Sequence, residues 1–97
     1  MRKNIYSVGQ VNTYIKNMFA QDFMLHHISV KGEVSNCKYH SSGHIYFTLK
    51  DEKGSIACVM FAGNRAGLRF RMEEGQQVVV FGTIDVYERD GKYQMYD

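Results

Sequence analysis

The chain has 97 residues, with 12 Lys and Arg against 10 Asp and Glu, so its formal net charge is only +2. A composition of 44% hydrophobic and 23% charged residues fits one small globular domain and argues against disorder. No apolar run approaches the ~20 residues that cross a bilayer, no apolar region follows the first basic residues as in a signal peptide, and two cysteines are too few for a disulfide scaffold. The sequence therefore predicts a cytoplasmic protein with reduced thiols and no membrane partner.

One amphipathic helix is predicted near the start of the chain, over residues 8–20. Ser7 and Gln10 have the spacing of a capping box, which marks a helix start. Apolar residues then recur at helical spacing, namely Val8, Val11, Tyr14, Ile15, Met18 and Phe19. We expect this helix to pack on the domain or plug an opening in it, and the alternative is a helix that binds a partner.

From residue 25 onward the apolar period changes from helical to two, which predicts strands. A first strand leads into a loop over residues 38–43, and a second strand follows from His44 to the turn at Asp51. The remaining elements are a third strand at 55–61, a short helix or crossover at 63–71, a fourth strand at 77–88 and a fifth at 92–97. Because the fifth strand breaks off without a tail, we expect a fragment of a longer protein.

This order of elements, with a short helix between strands three and four, is that of the OB-fold, a small Greek-key barrel. The predicted fold class is therefore all-β, a five-stranded OB-fold barrel over residues 25–97 with an added N-terminal α-helix, in a single domain over residues 1–97. Gly32 and Gly82 support it, because glycine inside a long strand usually marks a bulge or the sharp bend that a barrel needs.

Some residues of the chain have the chemistry of a metal site or a catalytic site. Cys37, His40 and His44 have spacings found in zinc sites, and Cys58 could supply a fourth ligand. The alternation of the third strand, however, puts Cys58 in the core, and the second close ligand pair of a structural site is missing. The acidic residues fall mostly at turns, and no nucleophile stands with a base. We expect no metal, no cofactor and no catalytic residue in this chain.

Single-stranded nucleic acid is the ligand that the surface pattern favours. Proteins that bind it combine a positively charged groove with aromatic side chains on which bases stack. In OB-folds the ligand crosses strands two and three, between the first and last loops. The candidate binding residues converge there, and they are Lys31, Asn36, Lys38, Tyr39, His40, His44, Tyr46, Thr48, Lys50 and Phe61, with Arg89, Lys92 and Tyr93 from the last loop. Arg65 in the crossover is a further candidate for phosphate contact, and its alternative is a solvated helix surface.

Three roles are expected among these candidates. The aromatic residues would stack bases, the Lys and Arg residues would neutralise phosphates, and the remaining polar residues would donate or accept hydrogen bonds. Exposed tyrosine is also favoured by strand propensity alone, and scattered lysine is common on soluble proteins. From the pattern alone, an OB module that binds protein therefore remains the alternative.

Several sequence blocks also resemble the N-terminal domain of exodeoxyribonuclease VII large subunits. The most specific are GEVSN at 32–36, HSSGHIYFTLKD at 40–51 and CVMF at 58–61, and later positions continue the likeness to GKYQ at 91–94. The resemblance implies an OB-fold that binds single-stranded DNA within a hydrolase that degrades such DNA to oligonucleotides from both ends. It also implies the small subunit and the remainder of the large subunit as partners, with the catalytic region in sequence not present here. The alternative is a module that docks protein and holds the catalytic region or the small subunit.

Overall fold

The computed structural model describes residues 4–67 and 71–97, without the side chains of residues 65–67. Two helices come first, α1 (Val8–Ala20) and the short α2 (Phe23–His26). The strands and a 3-10 helix follow in the order β1 (Ile28–Tyr39), β2 (Ile45–Lys50), β3 (Ser55–Met60), 3-10 helix (Ala62–Gly67), β4 (Gln77–Tyr87) and β5 (Lys92–Tyr96). The predicted order of elements is confirmed, and α2 is an addition that the period-two pattern from residue 25 did not indicate.

The five strands form a closed barrel in the order β1-β2-β3-β5-β4, with β4 paired back onto β1. All neighbours are antiparallel except β3 and β5, which run parallel. β5 thus pairs within its own chain on both sides, with β4 and with β3. This architecture confirms the predicted fold class, an OB-fold barrel with an N-terminal helix.

The barrel interior is filled by the inward side chains of alternating strand positions. On β2 the buried residues Ile45, Phe47 and Leu49 alternate with more exposed ones, as period two requires. The completely enclosed side chains include Val34 of β1 and Met95 of β5, each 0% exposed. Burial on this scale, at roughly 25 cal/mol for each Å² of apolar surface removed from water, is the main source of the barrel's stability.

Gly82 lies where β4 passes from one partner strand to the other. It pairs with Ile28 of β1, whereas the next residue, Thr83, pairs with Tyr96 of β5. A Cβ atom added to Gly82 would overlap the carbonyl oxygen of Tyr96. The glycine predicted to mark a barrel bend therefore permits the close approach of β5 that closes the barrel.

The first strand is longer than expected because it contains a β-bulge. Ser35 pairs with Thr48 and Lys38 with Tyr46, so β1 uses three steps where β2 uses two. Asn36, within the bulge, has a positive φ of 52°. The loop predicted over residues 38–43 is accordingly wrong at its start, because residues 38 and 39 still belong to β1.

Helix α1 packs on the barrel through Phe19, which lies against the core, and through polar groups. Its capping box is present, with reciprocal hydrogen bonds between Ser7 and Gln10. Asn12 and Thr13 donate hydrogen bonds to Glu88, and Lys16 lies 3.0 Å from the Asp85 carboxylate. No residue of the helix is buried. None of the helices in the described part of the chain is long and apolar enough to cross a membrane.

Candidate nucleic-acid interface

One row of side chains crosses the outer face of the barrel and forms the centre of the site. The strand registers place Lys38 of β1 beside Tyr46 of β2, Tyr46 beside Val59 of β3, and Val59 beside Tyr96 of β5. These four residues alternate with the core residues of their strands, so they belong to one outward face. A cation, an aromatic ring, an apolar floor and a second aromatic ring therefore follow one another across four strands.

Further rings surround this row. Phe61, just after β3, is stacked with Tyr96, with centroids 5.8 Å apart and planes inclined by 16°. His44 meets Phe61 edge-on at 5.3 Å, and His40 meets Tyr46 edge-on at 5.7 Å. We call these five residues, His40, His44, Tyr46, Phe61 and Tyr96, the aromatic platform. Tyr46 and Phe61 are each 40% exposed, so their ring surfaces are accessible to a ligand.

The two histidines are held by hydrogen bonds from the backbone. Gly43, at a φ of 97°, allows the tight turn between them, and the His40 N–H donates to the His44 carbonyl at 2.9 Å. The Ser42 N–H donates to His40 Nδ1 at 3.1 Å, and the Ala62 N–H donates to His44 Nδ1 at 2.9 Å. A ring nitrogen that accepts a hydrogen bond carries no proton. We therefore expect the proton of each neutral ring on Nε2, which would leave an N–H donor there. His40 Nδ1 also lies 2.9 Å from Ser42 Oγ, a contact that either tautomer can make.

A groove of about 760 Å³ runs along this face. It is lined on one side by Asn36 and Lys38 at the β-bulge and on the other by Tyr87 and Lys92 from the β4–β5 hairpin. Asp90 is the carboxylate in this lining. The groove thus lies between the first and last loops, where the sequence placed the ligand, and it carries cations on both sides of its aromatic floor.

A second basic cluster lies at the far end of β2. Lys50 shares the outward side of β2 with Tyr46 and Thr48, and it lines a depression with Lys31 and Lys53. The carboxylates of Glu33, Asp51 and Glu52 line the adjoining depression. The local charge there is therefore mixed. Lys31 and Lys50 are separated from the aromatic platform, although Lys50 continues its face.

Tyr39 is a candidate that the structure turns away from the groove. Its hydroxyl donates to the Met72 carbonyl at 3.0 Å and accepts from the Met72 N–H at 2.8 Å. The Arg71 guanidinium lies 4.3 Å from the centre of its ring, and the ring packs against the core. The expected stacking role of Tyr39 is therefore corrected to a structural one. The physical reason is the β-bulge, which reverses the sides of the residues after it.

Two other candidates are Arg65 in the crossover and Tyr93 in the last loop. Arg65 falls in the 3-10 helix, and its side chain lies outside the described residues. Tyr93 does not line the groove. It lies on the side of β5 that faces α1, and its ring centroid is 6.2 Å from that of Phe19. Lys92 and Tyr96, on the other side of β5, do line it.

The cysteines and histidines of the supposed zinc motif have separate surroundings. Cys58 is 2% exposed in the core, and burial raises the pKa of its thiol to about 11. Burial, with a smaller contribution from Glu74, also raises the pKa of the Cys37 thiol, whose sulfur lies 3.5 Å from the Met72 carbonyl. Ionised thiolates are the zinc-binding form of cysteine, so both shifts oppose metal binding. In residues 4–67 and 71–97 no group of three or more His, Cys, Asp or Glu side chains could hold a metal ion.

Tyr96 and Tyr87 were not among the residues expected at the site. Tyr96 lines the groove and stacks with Phe61, and Tyr87 lines the same groove from the end of β4. Alternation around Met95, which is fully buried, would have placed Tyr96 on the outward side of β5. The parallel pairing of β5 with β3, which brings that side next to Val59, had no signal in the sequence.

The comparison with protein families defines the class of this domain. A family model described as an OB-fold nucleic acid binding domain matches residues 6–96. The chain therefore belongs to this family of OB-fold nucleic acid binding domains.

The most informative relatives are exodeoxyribonuclease 7 large subunits, and the likeness found in the sequence is thereby confirmed. Over 94 residues the chain is 70% identical to the large subunit of Lachnoclostridium phytofermentans, and the match covers 97% of this chain and 23% of that relative. Over 96 residues it is 49% identical to the large subunit of Clostridium perfringens strain SM101, and the match covers 99% of this chain and 24% of that relative. The chain thus spans about a quarter of the length of these curated relatives.

A solved structure described as "Structural mimicry for functional antagonism" is also similar. It matches with a TM-score of 0.57 and 19% sequence identity, over 86% of this chain and 39% of that one. At this identity the likeness shows the fold alone.

Proposed function

We propose that this chain is the single-stranded DNA-binding module of an exodeoxyribonuclease VII large subunit. In the full enzyme it would hold single-stranded DNA while a catalytic region elsewhere in the large subunit degrades that DNA to oligonucleotides from both ends. The small subunit and the remainder of the large subunit would be its protein partners. The family membership and the relatives named above support this proposal.

The observation that carries the proposal is the aromatic platform at the centre of the groove. Bases in a duplex are stacked on each other, whereas bases of a single strand can leave the stack and lie on protein rings. Tyr46 and the Phe61–Tyr96 pair offer such rings on one face, with Val59 between them. This arrangement favours single strands over duplexes.

The cations of the groove supply the second requirement, neutralisation of phosphates. Lys38 and Lys92 lie on the two sides of the groove, and Lys50 continues the same face farther along β2. Asn36 and Thr48 also line the groove, where they could exchange hydrogen bonds with bases or phosphates. Lys31 remains proposed as a phosphate contact at the far end of the face. Binding by these few lysines should release counterions and weaken as salt rises.

Fluorescence anisotropy of a labelled single-stranded oligonucleotide tests the proposal. We expect the domain to bind the oligonucleotide at low salt, with log affinity falling against log salt by about 0.7 for each phosphate neutralised. A duplex of the same sequence is the control and should bind more weakly. Absence of binding at low salt, or equal affinity for the duplex, would contradict the proposal.

A further inference from the structure

Helix α1 keeps an apolar stripe exposed to solvent. Val11, Tyr14, Ile15 and Met18 are spaced so that they lie on one side of the helix, and their exposed fractions are 43%, 67%, 39% and 57%. A surface helix of a globular domain normally turns such a stripe toward the core. In α1 the stripe remains outside although the helix itself is packed on the barrel.

The polar contacts of α1 fix this orientation. The Asn12 amide donates to the Glu88 carbonyl at 3.0 Å, and the Thr13 hydroxyl donates to the Glu88 carboxylate at 2.6 Å. One turn later, Lys16 donates to Asp85 at 3.0 Å and to the Val86 carbonyl at 3.2 Å. Rolling the helix to bury its apolar stripe would break these contacts. The stripe is therefore held away from the barrel.

The chemistry of the stripe excludes nucleic acid as its occupant. Lys16 is the one charged residue of residues 4–20, and it is paired with Asp85. Nucleic acids need free cations to neutralise their phosphates. Next to the stripe, a recess of about 510 Å³ is lined by Tyr6, Gln10, Val11 and Tyr14. An uncharged, recessed surface of this kind fits apolar side chains of protein.

We propose that the apolar stripe of α1 docks onto the part of the large subunit that lies outside this chain, and so fixes how the aromatic platform faces it. The inference rests on the proposed function. The chain spans 23% of the length of its Lachnoclostridium relative, so most of such a subunit would be tethered close by.

Covalent attachment favours a segment of the same polypeptide over a second copy of the chain as the occupant of the stripe. A second copy of the chain would meet the stripe by free diffusion, and stable dimers bury about 800 Å² on each partner. Even with Val8, which is 79% exposed on the same side of the helix, the stripe has five side chains and offers less than that. A segment of the same polypeptide is held at an effective concentration near millimolar, so a small apolar contact is sufficient to dock it.

Oxidation of two methionines by hydrogen peroxide tests the docking. Met18 lies in the stripe at 57% exposure, and Met24 of α2, at 62%, is a matched reference in the same molecule. Oxidation of both would be followed by mass spectrometry in the 97-residue chain and in the full-length large subunit that carries it. We expect Met18, relative to Met24, to react about tenfold more slowly in the full-length subunit, because methionine oxidation follows exposure.

Two substitutions sharpen the test in the full-length subunit. Val11→Lys places a charge in the stripe and should return Met18 to the rate seen in the 97-residue chain. Val79→Lys alters an equally apolar residue of β4, 69% exposed, and should leave Met18 protected. Thermal melts of both variants check that each remains folded.

Three results would overturn the proposal. Equal Met18 rates in the two proteins would overturn the proposal. Protection that increases with the concentration of the 97-residue chain would overturn it in favour of a second copy. Protection that appears only when the small subunit is added would overturn it in favour of that subunit. DNA binding by the 97-residue chain is measured separately, so failure of docking and failure of the proposed function are distinguishable.

Discussion

Tyr46 and Tyr96 lie on opposite sides of the same residue, Val59, one on β2 and the other on β5. Since neighbouring strands are about 4.8 Å apart, the backbones of the two tyrosines are about 10 Å apart across the barrel face. Phe61 stacks on Tyr96 and enlarges that side of the surface. The face therefore has two separate aromatic positions, and each could receive a base.

Replacing Tyr46 with Ala should weaken binding of single-stranded DNA by about 1–3 kcal/mol, the usual contribution of one base–aromatic stack. The side chain is 40% exposed, so the melting temperature should change little. Fluorescence anisotropy and a thermal melt measure the two effects. Tyr14→Ala on α1, also exposed and outside the groove, is the matched control and should bind DNA as the unmodified chain does. Unchanged affinity in Tyr46→Ala would remove Tyr46 from the site.

Replacing Tyr96 should show whether the second aromatic position is used. We expect Tyr96→Ala to weaken DNA binding by about 1–3 kcal/mol, because it removes one ring and leaves Phe61 without its stacking partner. Tyr96→Phe keeps the ring and loses only the hydroxyl that accepts from Gln94, so its affinity should be close to normal. Equal losses in the two variants would assign the effect to the hydroxyl rather than to stacking.

Gly82→Ala should destabilise the domain by about 1–3 kcal/mol or more, because the added methyl group would overlap the Tyr96 carbonyl oxygen, a backbone atom. Urea titrations give the free energy of unfolding. Gly54→Ala is the matched control, since nothing lies within 4 Å of its added Cβ, and it should change stability by at most about 0.5 kcal/mol. A stable Gly82→Ala variant would contradict the close approach of β5 to β4.

Nitrogen-15 spectra of the imidazoles should show which ring nitrogen of His40 and His44 carries the proton. Both Nδ1 atoms accept backbone N–H groups, from Ser42 and Ala62, so we expect the neutral rings to be protonated on Nε2. The exposed His26 and His27 of the α2 region serve as references within the same sample. Protonation of His44 on Nδ1 would show that the Ala62 contact is not formed.

The order of elements, the α1 capping box and the barrel class could be predicted because each depends on local signals. Apolar period, Gly positions and the Ser7–Gln10 pair all act within a few residues. The platform was predicted in part for the same reason. Tyr46 stands on the outward side of β2, where alternation buries Ile45, Phe47 and Leu49. Phe61 comes just after β3, whose last three residues Cys58, Val59 and Met60 are all buried, so alternation gives no such signal there.

The remainder of the site depends on contacts between distant residues. Tyr96 joins the platform only because β5 pairs in parallel with β3, and no local pattern specifies that pairing. The orientation of α1 also depends on distant residues. Polar contacts with Glu88 and Asp85 hold the helix so that its apolar stripe faces the solvent. Tyr39 lies on the core side and not on the predicted groove side, because the β-bulge adds one residue to β1.

That extra residue decides which side chains the end of β1 presents to the groove. With the β-bulge around Asn36, Lys38 lies in the groove and Tyr39 on the core side. A strand with the same residues but no bulge would exchange the two, so that a lysine would enter the apolar interior and a tyrosine would face the solvent. Deletion of one residue between Ser35 and Lys38 would instead restore regular pairing and keep Lys38 beside Tyr46. A deletion at the bulge would therefore preserve the groove face.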